Sequence, residues 1–317
     1  MYSAPPAPHV RILMGTFQGA GYLSGQLSSF LAQDHDNWSL VVSDDGSTDA
    51  TPDVVREFAR AHPNRDIRLV QGPGQGASAN YLSLLAQDAL WRDLPDDGCI
   101  AFSDQDDVWM AERLARAIEA LGQGADIYAS RTLLTDADLI PRGASRQHPY
   151  PPAFGNALVQ NVLAGNTLVL GPVAGALLRR TAARALNAGV PHHDWWVYLL
   201  GTGAGLHIVN DSRPGLYYRQ HGGNLLGANR GLGKAWSRFA MIWEGHFGDW
   251  IAHNLSALQA VDEELTPENR ACLSAFQAWL EGERRGLLGG GLDRTGAWRQ
   301  SKAGQIMLRA AASAGRL

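Results

Sequence analysis

Residues 99–107 read CIAFSDQDD: an apolar run, a serine, then three carboxylates within four positions. An apolar stretch this short reads as a buried strand, and the acidic cluster sits where that strand must end. Like charges so close raise one another's pKa, so the chain needs something positive at that place. Working outward, a second acidic group, SDDGSTD at 43–49, follows a second apolar stretch, Leu40 to Val42. Between and around them strand and helix patterns alternate. Val10 to Gly15 reads as a strand. Leu23, Leu27, Phe30 and Leu31 share a helical face. Val54, Val55 and Phe58 mark a helix that Thr48 or Asp49 can cap. Ile67 to Val70 is a strand, Tyr81 to Leu90 a helix, and Leu114, Ile118 and Leu121 the helix after the acidic run. Such alternation predicts an α/β fold with a mostly parallel central sheet flanked by helices. Ligands of such sheets bind beyond the carboxyl ends of the strands, where both acidic groups fall.

Composition narrows the function. The 317 residues are 45% apolar and carry a net charge of −4 without a basic block, which disfavours nucleic acid as a partner. Only Lys234 and Lys302 among the 27 basic residues are lysines, so a P-loop or Schiff-base lysine has almost nowhere to be. Cys99 and Cys272 stand far apart in apolar surroundings and read as reduced core residues. The start, MYSAPPAPHV, has neither the basic nor the apolar part of a signal peptide. The uncharged segment from Phe154 to Leu178 holds three asparagines, a glutamine and a proline, and reads as loop, buried strand and helix start instead of a membrane span. The expected location is therefore cytoplasmic.

After Ala129 the alternation weakens. A strand at Thr167 to Leu170, a helix from about Val173, and short strands at Leu206 to Val209 and Gly215 to Arg219 are expected. From about Leu232 the pattern is helical, with Trp236, Phe239, Trp243, Phe247, Trp250, Ile251, Leu255 and Leu258 in one stripe. The boundaries expected are a domain at 1–229 and a helical C-terminal extension at 230–317.

Two carboxylates in a D-x-D just past a buried strand can share one hard divalent cation, Mg2+ or Mn2+, that still binds phosphate oxygens. Its charge would make the crowding at 104–107 favourable. The competing reading is a solvated acidic turn before Val108, which must then also explain the second acidic strand end. Asp44 and Asp45 could accept hydrogen bonds from a nucleobase and ribose. The run GPGQGAS (72–78) lacks the GK[ST] of a P-loop and reads as a loop near a nucleotide. Asp194, in HHDWW, could be a general base, with Trp195 or Trp196 against a sugar; alternatively it caps a helix whose tryptophans are core. His221, just past a strand, could complete a carboxylate metal site.

Taken together, MGTFQG (14–19), SDDGSTD, ANYLSLL (79–85), SDQDDVW, HDWW (193–196) and YRQHGGN (218–224) resemble family-2 glycosyltransferases of the GT-A fold, in particular the bacterial rhamnosyltransferase-like subgroup, over about residues 10 to 229. The resemblance implies an inverting, metal-dependent transferase acting in polysaccharide biosynthesis. Its donor would be a nucleotide-diphospho sugar, dTDP-rhamnose or a UDP-sugar, and its acceptor a glycan or lipid-linked hydroxyl. Thr16 and Phe17 would line the base pocket beside Asp44 and Asp45. Asp104 would meet ribose or a metal-bound water, Asp106 would ligate Mg2+ or Mn2+, and His221 matches a position on metal or diphosphate. Arg219 would stabilise the leaving diphosphate and Asp194 would be the base. The Q-x-x-R-W of processive members does not follow YRQH, which implies addition of a single sugar. The extension carries no matching motif; packing on the catalytic domain, homodimer formation and peripheral contact with the inner face of the plasma membrane are its candidate roles. A non-catalytic nucleotide-sugar-binding protein and a nucleotidyltransferase are the alternatives.

Overall fold

The computed structural model describes residues 7–221, 246–283 and 291–317. Strands β1 (Val10–Thr16), β2 (Trp38–Asp44), β3 (Ile67–Gln71) and β4 (Cys99–Ser103) alternate with helices α1 (Ala20–Leu31), α2 (Thr51–Ala61) and α3 (Ala77–Ala86). These four strands pair in parallel, in the order β3-β2-β1-β4, with Thr16 opposite Asp44 and Met14 opposite Ser103. Beyond β4 the sheet becomes mixed. Strand β5 (Val108–Trp109) precedes α4 (Arg113–Gly122), β6 (Ile127–Thr135), β7 (Pro141–Ala144), α5 (Phe154–Ala157), β8 (Val169–Leu170), α6 (Pro172–Asn187), α7 (His193–Gly203) and β9 (Ile208–Arg219). The order continues β4-β8-β6-β9-β5, with β7 on β6. Strand β8 is antiparallel to both β4 and β6, and β9 is parallel to β6. Hence β1, β2, β4, β6 and β9 all point the same way, and their carboxyl ends share one edge.

The period-two pleat of buried strands explains the two covered faces. Val10, Ile12 and Met14 turn to one side with Cys99 and Ala101, against Leu23, Leu27 and Phe30 of α1. Phe30 meets Trp109 edge-on with ring centroids 4.6 Å apart. Phe102 turns to the other side, edge-on to Tyr81 at 5.5 Å. Leu31, expected on the buried face of α1, is 38% exposed. Eight residues at 3.6 per turn leave it about 80° round from Leu23. The N-cap of α2 is Ala50, not Thr48 or Asp49 as expected, and Asp49, one residue earlier, accepts from the Thr51 backbone N–H at 3.0 Å.

The expected pair of strands around 206–219 is one strand. Its middle is an irregularity opposite Ser130 and Arg131, where Asp211 pairs with Ser130 and Pro214 with Arg131. Asp211 stabilises this break: its carboxylate accepts from Arg213 N at 2.9 Å, Arg116 Nε at 3.1 Å and Tyr128 Oη at 3.0 Å. Burial alone would raise its pKa, but the bonds from Arg213 and Arg116 prevail and hold it at about 2. A carboxylate depressed in the folded state contributes stability above its unfolded pKa of about 3.9, and that contribution is lost as pH falls through about 2. Asp211→Asn should accordingly lower the melting temperature at pH 6 and flatten its decline between pH 4 and pH 2, as read by circular dichroism.

Compactness groups the chain into two units. One comprises Met1–Arg146, Leu163–Ala183 and His207–Leu225; the other comprises Gln147–Val162, Arg184–Leu206 and Leu226–Leu317. The second unit holds α5, α7 and the tail helices α8 (His246–Gln259), α9 (Pro267–Ala278) and α10 (Lys302–Ser313). Of the aromatic stripe, Phe247, Ile251, Leu255 and Leu258 are buried, and Phe247 stacks on Trp195 of α7 at 6.1 Å. Trp236, Phe239 and Trp243 lie outside the described residues. Within those residues no helix is long and apolar enough to cross a membrane.

Candidate active site

The site-bearing ends of β1, β2, β4 and β9 gather most of the residues singled out from the sequence. Thr16 closes β1 and donates its hydroxyl to Asp44 Oδ1 at 3.0 Å. Asp44 closes β2 and also accepts from Ser47 N at 2.9 Å and Ser47 Oγ at 2.6 Å. A carboxylate has about four lone-pair directions, so these three bonds leave room for another donor. Phe17, at the start of the following loop, is 55% exposed. Its backbone is clamped from both sides by the Gln105 amide, which accepts from Phe17 N and donates to Phe17 O, each at 2.9 Å. Next to it Gln18 adopts a left-handed φ of 49°. Gln18 is held there by Ser47 Oγ at 2.9 Å and Thr48 Oγ1 at 2.8 Å.

Asp45 also bonds the glycine-rich run. Its two oxygens accept from the backbone N–H of Gly74 and of Gly76, both at 2.7 Å. These glycines take φ of +69° and +88°, a region open to glycine and strained for other residues. The glycine-rich run is thus tied to the second acidic strand end. Asn80, whose role the sequence does not signal, fixes the same corner. It is 1% exposed and donates its amide to Ser43 O at 2.9 Å.

At the end of β4 the three carboxylates separate in role. Asp104 accepts from Tyr81 Oη at 3.3 Å. Burial pushes the Tyr81 phenol well above its ordinary pKa, with the Asp104 charge adding to it. Asp107 is fully buried, accepting from Asn166 Nδ2 at 2.5 Å and Arg219 N at 3.4 Å. Burial, then the charges of Asp104 and Asp106, raise it well above the carboxylate range. Asp106 faces the rim, where its Oδ2 lies 2.8 Å from His221 Nε2. This meeting follows from local structure. The chain after Asp107 turns at once into β5, whose Val108 pairs with Tyr217 of β9. Arg219 spans the same junction. Its Nε donates to Asp106 O at 3.0 Å and its Nη1 to Ala137 O. Two nitrogens of the guanidinium expected on a leaving diphosphate thus bond backbone carbonyls, one of the acidic turn and one of the β6–β7 connection.

Arg113 is a buried cation that the sequence does not flag. It is fully buried and lies over Trp109 at 3.4 Å. It donates to Phe102 O at 3.2 Å and Asn166 O at 2.7 Å. Burial pushes its pKa down to about 9, opposed by Tyr128, Asp107 and Asp104, so it remains charged at neutral pH. This is part of the positive charge the acidic crowding requires.

Asp194 stands in the first turn of α7, in the second unit, after an N-cap at His192. Its Oδ1 accepts from Trp195 N at 2.7 Å. Burial lowers the pKa of His192, and it takes His193 to about 4, so both neighbouring imidazoles are neutral at pH 7. Trp195 is 3% and Trp196 0% exposed, and Trp195 Nε1 donates to Ala157 O at 2.7 Å. Both tryptophans are core, the second of the two readings that the sequence offers for them, and neither is open to stack on a sugar.

Among the described residues no group of three or more His, Cys, Asp or Glu side chains forms a ready metal cage. The donors at the rim nevertheless suit a hard divalent cation. Mg2+ and Mn2+ sites of this kind use one or two carboxylates and complete their shells with water and substrate phosphate. Asp106, with Asp104 beside it and the His221 imidazole opposite, is such a partial set. The charge these carboxylates impose on Asp107 is what a cation would relieve.

Residues 12–186, more than half of the chain, match the family model described as glycosyl transferase family 2. The dTDP-rhamnosyl transferase RfbG of Shigella flexneri is 27% identical over 239 residues, covering 72% of this chain and 78% of that protein. The glycosyltransferase alr2836 of Nostoc sp. is 27% identical over 222 residues, covering 68% of this chain and 66% of that protein. Among solved structures, S. aureus TarS superposes with a TM-score of 0.52 at 16% identity, over 86% of this chain and 43% of that one, a likeness of fold alone. A family match of this extent, on a curled mixed sheet with the acidic ends of β2 and β4 at one edge, establishes that the chain belongs to glycosyl transferase family 2 and is a glycosyltransferase of the GT-A fold.

Proposed function

We propose that the protein transfers a single sugar, with rhamnose favoured, from a nucleotide-diphospho sugar to a hydroxyl of a glycan or lipid-linked acceptor, with inversion at the anomeric carbon. The observation that carries this reading is the convergence of Thr16, Asp44, Asp104, Asp106 and His221 on one edge of the sheet. Rhamnose is favoured by the similarity to RfbG. Residues 1–229 carry the machinery in this reading, and 230–317 are an extension to it.

Each residue has a task. The exposed ring of Phe17 stacks on the nucleobase, and Asp44 takes a base N–H or a ribose hydroxyl. Asp45 holds the glycine-rich run in place beside them. Asp106 and His221, with Asp104, would hold Mg2+ or Mn2+. When bound, such an ion supplies charge neutralisation for the departing diphosphate. Arg219 acts as a positioning residue that fixes the turn carrying Asp106. Asp194 accepts the acceptor hydroxyl's proton as the oxygen attacks the anomeric carbon in line with the leaving group. The two imidazoles beside it are neutral, so they neither offset its charge nor compete to donate a proton.

The test is a donor panel of dTDP-rhamnose, UDP-glucose, UDP-N-acetylglucosamine and GDP-mannose with Mn2+ and a lipid-linked acceptor. Nucleoside diphosphate release should be greatest with dTDP-rhamnose, and nuclear magnetic resonance of the product should show an inverted anomeric centre. A retained centre would remove the single-displacement mechanism, and equal inactivity with all four donors would remove the substrate assignment.

A further inference from the structure

Helix α1 turns Tyr22, Gly25 and Gln26 toward the acidic turn, at the i, i+3, i+4 spacing that lines up one helical face. Tyr22 stacks on the His221 imidazole, with ring centroids 4.3 Å apart and planes inclined by 27°. The Arg219 guanidinium carbon lies 5.0 Å from the same ring. A Cβ on Gly25 would stand 3.7 Å from Arg219 Nη2, so that side of α1 is in close contact with the arginine. Gln26 is fully buried. With its amide turned to pair donors with acceptors, it donates to Asp107 O at 2.7 Å and accepts from Ser103 Oγ and Trp109 Nε1, both at 3.2 Å. One helix face thus touches both halves of the rim, the turn that carries Asp106 and the segment that carries His221.

His221 stands two residues past the end of β9. The χ2 torsion of a histidine has a broad energy profile, so sequence position alone does not aim its Nε2. Among the described residues, Asp106 Oδ2 at 2.8 Å and the flat face of Tyr22 are contacts that do. We propose that Tyr22 is a positioning residue whose ring holds the His221 imidazole with Nε2 toward Asp106, so that carboxylate and imidazole are presented together to a hard divalent cation. This rests on the reading of the rim given above. Groups that orient a metal ligand typically change metal affinity by about 10- to 100-fold when removed. Tyr22 would do so without touching the ion.

Two readouts test this at one fixed pH. In the metal-free protein, the His221 Hε1 resonance, assigned by its loss in His221→Gln, should lie upfield because of the Tyr22 ring current. Tyr22→Leu should move it downfield toward the value of free histidine, and Tyr22→Phe should not. Mn2+ affinity, read from the paramagnetic resonance of the free ion, should weaken about tenfold in Tyr22→Leu and recover in Tyr22→Phe. Where wild-type protein binds Mn2+, an unmoved resonance or an unmoved affinity in the leucine variant overturns the proposal. Tyr22→Gln, a second variant without the ring, decides the matter if Tyr22→Leu fails to fold. If wild-type protein takes up no Mn2+, the cation reading falls, and the resonance comparison by itself still decides whether Tyr22 orients His221.

Discussion

Asp106→Ala should lower kcat/KM by at least about 10³-fold, equivalent to about 4 kcal/mol of transition-state stabilisation, while leaving the protein folded. The two halves of this expectation have separate causes. Activity falls because Asp106 is the carboxylate paired with His221 at the rim. In the proposed mechanism its removal takes away an anionic donor to the cation. The fold survives because Arg219 bonds the backbone carbonyl of residue 106, which alanine keeps. Asp106 is also one of the charges that raises Asp107, so its loss relieves repulsion, and the melting temperature should hold or rise. Undiminished transfer by this variant would end the assignment of Asp106. A collapse in melting temperature would recast the residue as structural.

Asp194→Asn should lower kcat by about 10²- to 10⁴-fold, the range for loss of a general base, with donor and nucleotide affinity unchanged. Asparagine keeps the Oδ1 atom that accepts from Trp195 N, so the first turn of α7 is preserved and the change falls on proton transfer. The measurement is kcat and donor KM together with calorimetric binding of the nucleoside diphosphate. This pattern separates an enzyme from a binding protein on the same fold, since a binding protein would show no turnover in either form. A variant with wild-type kcat would move the base elsewhere.

The parallel half of the fold was legible because its signals are local. Short apolar runs ending at acidic turns mark β2 and β4, and the face defined by Leu23, Leu27 and Phe30 marks α1. The later half was less so. Strand β6 reads IYASRTLLT, without clean alternation, and it lies between β8 and β9, partners that come later in the chain. Strand β9 reads as two because NDSRP (210–214) looks like a turn. The chain continues through it, with Arg116 and Tyr128, far away in sequence, bonding Asp211 there.

The same distinction holds at the site. Asp44, Asp104, Asp106 and His221 announce themselves by type and by position at strand ends. Their supports do not. Gln105 grips Phe17 across 88 residues of chain, and Arg113 and Asn166 are brought under Asp107 only by the completed sheet. Asp45 accepts from Gly74 and Gly76, one on each oxygen, a tie to the glycine-rich run that its place at a strand end does not show. An isolated sequence gives no measure of how much of a carboxylate is already spent.

In the proposed mechanism the rim carboxylates serve a cation and a diphosphate together. Calorimetric titration of dTDP and of UDP into wild-type protein and Asp106→Ala, each with and without Mn2+, tests that most directly. Mn2+ should tighten binding of at least one of these nucleotides to wild-type protein, with no such gain in the variant. Equal affinity with and without Mn2+ in wild-type protein, or a gain that survives in Asp106→Ala, would contradict it.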